Sequence, residues 1–215
     1  MDEAQAYDAF RSTMNEEDTE EKAVINFDRE YSIALNEKNG RDAASSILTT
    51  VRVENNAQLA IAPYYYFTAS IYKGECTSSR VALMTAKSSD TSLYFAEING
   101  EQVWKLVENY LDHTENEFFI TNQYELPILS GMKITVQKEE DGFSLKDITI
   151  DQEEIDKEKE YSILLTDTTR SILEKTTPGC RIKQLQDMTL SSAWTAFMEK
   201  GQQPLAPEDY IEVKK

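Results

Sequence analysis

The chain has 215 residues, 40% of them hydrophobic and 10% aromatic, enough for one domain with a real core, and this excludes a disordered polymer. Its net charge of -17, from 39 acidic against 22 basic residues, leaves no basic footprint to meet phosphate. That argues against nucleic acid as a partner and disfavours anionic membrane surfaces, and without an apolar run of about 18 residues no membrane insertion is expected.

Residues 2–14 suggest a short helix with Tyr7, Phe10 and Met14 on one side. Residues 15–22, NEEDTEEK, form an acidic run that reads as a solvated linker or helix end. A calcium loop is the sharper alternative, but the run lacks the glycine an EF-hand turn needs. Residues 1–23 are therefore taken as an acidic, partly helical extension, and 24–215 as the domain. Met1, Asp2, Glu3 and Ala4 lack the basic start and apolar stretch of a signal peptide. The chain is expected to be cytoplasmic or a trimmed piece of an exported protein.

Residues 23–35 read as a strand pair or extended entry, and Asn39-Gly40 as a turn. Ala44, Ile47, Leu48 and Val51 recur at helical spacing. Residues 58–62 form a short apolar run of the buried-strand kind. Tyr64, Tyr65, Tyr66 and Phe67 follow, four aromatics that favour extended structure. In a strand, Tyr64 and Tyr66 would face one way and Tyr65 and Phe67 the other. Such a run either packs on both faces or offers an aromatic platform to a sugar, peptide or partner.

Residues 93–98 predict a second strand, and Gly100 opens a helix with Val103, Leu106, Val107, Tyr110 and Leu111 on its buried face. Trp104 is also expected in the core. His113, in the tail of that helix, is the single histidine and reads as a surface residue. Residues 114–126 read as irregular. Met132, Ile134 and Val136 alternate with polar residues, and Asp141-Gly142 is a hairpin turn before a returning strand at 145–150. Residues 161–165 predict another strand and 172–175 a helical stretch. Thr189 starts a helix with Leu190, Ala193, Trp194, Phe197 and Met198 on one face, and Gly201 stops it. Cys76 and Cys180 form either a disulfide or two buried free thiols, and their spacing fits no metal pattern.

Several of these blocks carry a resemblance when taken in order. Ala57-Gln58-Leu59-Ala60-Ile61, Ala69-Ser70-Ile71 and Lys73-Gly74-Glu75-Cys76-Thr77 follow a line like ADIALxNGGGIRASIPxGxIT. Residues 93–108 follow a line like PFGNTLVVVELTGxxLxxxLE. Leu129-Ser130-Gly131-Met132-Lys133-Ile134-Thr135 resembles VSGLRFTYD, Ile148-Thr149-Ile150 and Asp156-Lys157 resemble VTVNGKPLDPDK, and residues 161–167, YSILLTD, resemble YTVATND. These lines belong to the C-terminal, substrate-recognising domain of the 5'-nucleotidase and UDP-sugar hydrolase family. The resemblance spans roughly residues 24–215 and implies an α+β fold of mixed sheets with packed helices.

The same resemblance implies a changed site. Pro63, Tyr64, Tyr65, Tyr66, Phe67 and Thr68 stand in place of NGGGIR, so a neutral Thr68 replaces the family's substrate-holding arginine. The glycines, which let a ligand approach the backbone, are tyrosines. One stacking ring is absent around Ser89 and Thr91, and the other after Asp167, where Thr168 follows. The GGDGY loop is missing as well. Family catalysis belongs to a separate two-metal metallophosphatase domain, so no cofactor is expected in this chain. One histidine supports no His-rich metal site and no Ser-His-Asp set. The carboxylates at 139–141 and 151–160 read as solvated charge. The expected function is that of a non-catalytic, degenerate recognition domain, a binding or structural module of a larger, exported protein. The alternative is the substrate-binding part of a nucleotide or UDP-sugar hydrolase whose metal domain lies elsewhere. The old pocket is expected where residues 64–68, 88–91 and 168–172 meet.

Overall fold

A computed structural model of the chain describes residues 24–33, 40–86, 92–112, 126–140, 142–208 and 210–214. The extension at 1–23, Asn39, Ser89, Thr91, His113, residues 114–125 and Asp141 lie outside the described residues.

The centre is a five-stranded mixed sheet. Strand β2 (Leu59–Ala62) runs parallel to β9 (Glu160–Leu165) and antiparallel to β5 (Ile128–Ser130). On the other side of β9 lie β4 (Ser92–Asn99) and β10 (Ile182–Thr189), giving the order β10-β4-β9-β2-β5. Every side chain of β2 is buried, so the sheet is covered on both faces there. That is why its sequence, LAIA, shows no polar alternation.

Helix α1 (Asp42–Glu54) buries all of residues 43–51 against β2, β5 and the C-terminal helix. The short α2 (Ser78–Ala82) packs against that same C-terminal helix, α5 (Leu190–Met198). Thr189 accepts from the Ser192 N–H at 3.1 Å and so caps α5. Trp194 is fully buried on its inner face.

Helix α3 (Gly100–Asp112) buries the predicted stripe of Val103, Leu106, Val107, Tyr110 and Leu111. It packs against α4 (Asp167–Thr176) and on β7 (Gly142–Ile150). Its first residue must be glycine. A Cβ on Gly100 would lie 2.2 Å from the Asp156 carbonyl oxygen, closer than atoms can approach. The Gly100 N–H donates to the Lys159 carbonyl at 3.0 Å, which docks the helix start on that loop.

A second sheet has the order β11-β6-β7-β8, built from β6 (Lys133–Glu139), β7, β8 (Glu153–Glu154) and β11 (Ile211–Lys214). A two-stranded ribbon pairs β1 (Val24–Phe27) with β3 (Gly74–Thr77). After α5, residues 201–208 and 210–214 run back across the molecule as a strap. Gln203 donates to the Asn26 carbonyl at 2.6 Å and accepts from the Asp28 N–H at 3.0 Å. Glu208 takes an ion pair from Arg52 at 3.1 Å and the Gly131 N–H at 2.7 Å.

The α+β class, the strands at β2, β4, β6, β7 and β9, and helices α1, α3 and α5 agree with the sequence reading. Three expectations change. The tyrosine run is not extended: Tyr64–Tyr66 form a 3-10 turn after Pro63. Trp104 is only half-buried, with the Lys157 ammonium 5.6 Å from its ring centroid. Cys76 and Cys180 are free and half-buried rather than fully enclosed, and burial raises the pKa of both thiols.

Candidate functional site

The register of two parallel strands builds the site. Ile61 of β2 pairs with Leu165 of β9, so both strands end at the same level. Beyond β2 the chain turns through Pro63 into Tyr64–Tyr66. Beyond β9, Thr166 precedes α4, and its N–H donates to the Thr169 hydroxyl at 2.9 Å. Tyr94 of the antiparallel β4 is in register with Leu165 and joins at the same end. The carboxyl ends of parallel strands are where open sheets ordinarily hold ligands.

Two of the three segments expected to form the pocket do meet here. The Tyr66 and Tyr65 hydroxyls both share a hydrogen bond with the Thr168 hydroxyl, at 2.9 and 3.2 Å. The two rings touch edge to face with centroids 4.8 Å apart. Ser89 and Thr91, from the third segment, lie outside the described residues.

Each remaining predicted position has a structural partner. Tyr64 is buried, its hydroxyl donates to the Ile33 carbonyl and lies 3.4 Å from that of Gly40, and the Arg41 guanidinium stands 5.4 Å from its ring centroid. Pro63 and Phe67 are buried, and Phe67 bridges to Thr85. Thr68 is exposed, but its hydroxyl donates to the Leu83 carbonyl at 2.6 Å and its N–H to Met84 at 2.9 Å. Asp167 accepts from the Tyr94 hydroxyl at 2.8 Å and from the Arg170 guanidinium at 3.3 Å.

Tyr94 and Arg170 are the residues that sequence reasoning missed. Arg170 stacks over Tyr94, 5.0 Å from the ring centroid, and also donates to Glu174 at 2.6 Å. The signal for Arg170 was available, since Asp167, Arg170 and Glu174 stand three and four apart on one helix face. Tyr94 carried none, because its partner Asp167 lies 73 residues away. Burial and the bond to Asp167 raise the pKa of the Tyr94 phenol. Burial opposes the charge of Arg170, but the hydrogen bond and attraction of Glu174, with Tyr94 and Asp167, leave its pKa raised.

Chemically, this cluster is self-satisfied. Its one arginine is matched by two carboxylates, and Asp167 is occupied by two donors. Among the described residues no three His, Cys, Asp or Glu side chains group closely enough to hold a metal ion. The open feature is Tyr65, 62% exposed, which presents its ring to solvent.

A family model described as the 5'-nucleotidase C-terminal domain matches residues 13–172, well over half of the chain. With the mixed sheet and its packed helices in hand, that match places the chain in the 5'-nucleotidase C-terminal domain family. Solved structures share the fold. The 5'-nucleotidase precursor of Thermus thermophilus superposes with a TM-score of 0.71 at 13% identity, over 99% of this chain and 43% of that one. The NAD nucleotidase of Haemophilus influenzae gives 0.68 at 13%, over 99% and 42%. A putative 5'-nucleotidase of Staphylococcus aureus, solved with α-ketoglutarate, gives 0.66 at 13%, over 100% and 44%. This chain therefore spans less than half the length of each of them. No curated protein matches it significantly. Among the described residues no helix is long and apolar enough to cross a membrane.

Proposed function

We propose that this chain is a non-catalytic, degenerate form of its family's domain, acting as a binding or structural module of a larger protein. One observation carries the reading. Two of the three side chains standing where the family keeps open glycines are buried in this fold's own contacts. Tyr64 and Tyr66 are buried, and their hydroxyls bond to Ile33 and Thr168. On this reading residues 24–215 are the recognition fold and residues 1–23 an acidic extension. No cofactor is needed within the chain, and the exposed Tyr65 ring is the surface offered to a sugar or peptide. Export to the cell surface or exterior follows the family resemblance; a cytoplasmic place is the alternative.

Each lost stacking ring removes about 1–3 kcal/mol by analogy with base–aromatic contacts. The lost charged hydrogen bond removes about 1.5–3 kcal/mol. Calorimetric titration with AMP and with UDP-glucose is therefore expected to show no binding below millimolar concentration. A micromolar constant for either, abolished by Tyr66→Ala, would overturn the reading and make the tyrosines a rebuilt site.

A second reading has its own support. The chain covers less than half of each matched structure. That is compatible with a substrate-binding part whose metallophosphatase partner, with its divalent metals, lies outside this chain. The same titration separates the two, since a substrate-binding part must bind its nucleotide or UDP-sugar.

A further inference from the structure

The strap is attached by two unlike means. Along residues 201–208 its hold is polar and open to water. Gln203 bonds to Asn26 and Asp28, the Leu205 N–H donates to the Thr50 hydroxyl at 2.9 Å, and Glu208 meets Arg52, Ser130 and Gly131. Among the described residues of the strap only one side chain is buried, that of Tyr210. The backbone pairing of β11 with β6 follows it, at the edge of the second sheet. A segment with one apolar anchor and solvent-facing hydrogen bonds belongs to the part of a fold that opens most easily.

That anchor is shared with the tyrosine turn. The Arg41 guanidinium lies over the Tyr210 ring, 5.7 Å from its centroid, and over the Tyr64 ring at 5.4 Å. It also donates to the Leu126 carbonyl at 3.1 Å and to that of Pro127, which fixes its place. One cation therefore faces both rings. Tyr64 opens the turn that carries Tyr65 and Tyr66, and the Phe67 N–H closes it on the Tyr64 carbonyl at 3.0 Å. Departure of Tyr210 removes one of the two rings and brings water to the guanidinium. A cation–π contact weakens once its cation is hydrated, so the hold on Tyr64 weakens with it.

We propose that the C-terminal strap is a latch on the tyrosine turn, acting through Tyr210 and Arg41. With the strap seated, Tyr64 is held and the exposed Tyr65 ring is presented at a fixed place. With the strap released, the turn loosens while the helices behind it stay. Coupling of this kind is reciprocal, so whatever fastens the turn also fastens the strap. The latch concerns the turn and not its ligand, so it holds independently of the function proposed above.

Hydrogen exchange of single amides in the full chain tests the latch. The Ile134 N–H, bonded to the Tyr210 carbonyl at 2.7 Å, reports the strap, and the Phe67 N–H reports the turn. Leu106, buried in α3, is the control. Tyr210→Leu should speed exchange at Ile134 and Phe67 several-fold and leave Leu106 unchanged. Tyr210→Phe keeps the ring and should keep native rates at both. The reciprocal variant Tyr64→Leu should speed exchange at Ile134. Gln203→Ala combined with Glu208→Ala loosens the strap from outside with Tyr210 and Arg41 intact, and it decides the matter if Tyr210→Leu does not fold: Phe67 should again follow Ile134. A Phe67 rate that stays native while Ile134 speeds up, a Leu106 rate that rises in step with both, or a Tyr210→Phe chain as loose as Tyr210→Leu would each overturn the proposal.

Discussion

Helix α5 and the turn at Tyr64–Tyr66 both bury aromatic rings, and they do so by different physics. In α5, Trp194 is fully buried and its indole N–H meets no acceptor among the described residues. Apolar contact alone holds it, beside Phe197, Leu190 and the face of α1. In the turn, the Tyr64 and Tyr66 rings are buried but their hydroxyls are fastened, Tyr64 to Ile33 and Tyr66 to Thr168. The first arrangement follows from a periodic stripe on one element. The second needs three chain segments to arrive together. The turn is a packed joint, held by side chains that bring both bulk and a polar tip.

The widest separation between the two regions should come from Trp194→Ala. Truncating a fully buried ring removes its transfer free energy and leaves a cavity, about 3–5 kcal/mol together. Chemical denaturation should show a large fall in midpoint with little change in slope; an unchanged midpoint would break the claim that α5 is a core element.

Glu208→Ala probes polar fastening where it is most concentrated. That carboxylate joins the strap to Arg52, Ser130 and the Gly131 N–H. The Arg52 side chain is only 14% exposed, whereas that of Glu208 is 37% exposed, so water screens part of the loss. A destabilisation of about 1–3 kcal/mol is expected from leaving those donors without their acceptor. The same denaturation measurement reads it, and Glu208→Gln should recover part of the loss.

The smallest effects sharpen the comparison within the turn itself. Tyr66→Phe keeps the buried ring and removes one hydrogen bond, so about 0.5–1.5 kcal/mol is expected. Tyr65→Phe removes a longer bond on an exposed ring and should be close to neutral in the same assay. If the two variants were equal, Tyr66 would not be the anchoring member of the pair.

By itself the sequence determined the parts whose order is local. The stripe of Val103, Leu106, Val107, Tyr110 and Leu111 predicts a helix and names its buried face, because a period of 3.6 needs no knowledge of the partner. Residues 58–62 predict a buried strand from a short apolar run and 161–165 another strand, both local signals, and blocks matched in order along the chain pointed to the family. β10 was not legible. Its Ile182, Leu185 and Met188 are three apart, which shows no strand alternation, and the strand shifts register between Gln184 and Thr189, a stretch that includes Asp187 at φ 54°. At the candidate site the sequence drew attention to Tyr64, Tyr66 and Thr68, but not to what those side chains touch. Four aromatics in a row favour a strand by local preference. Here Pro63, the Phe67–Thr85 bridge and the reach to Thr168 fold them into a turn instead. Tyr94 meets Asp167 only because Tyr94 and Leu165 share a register on neighbouring strands. Pairings across tens of residues are set by which strands lie side by side, and that was decided by tertiary packing.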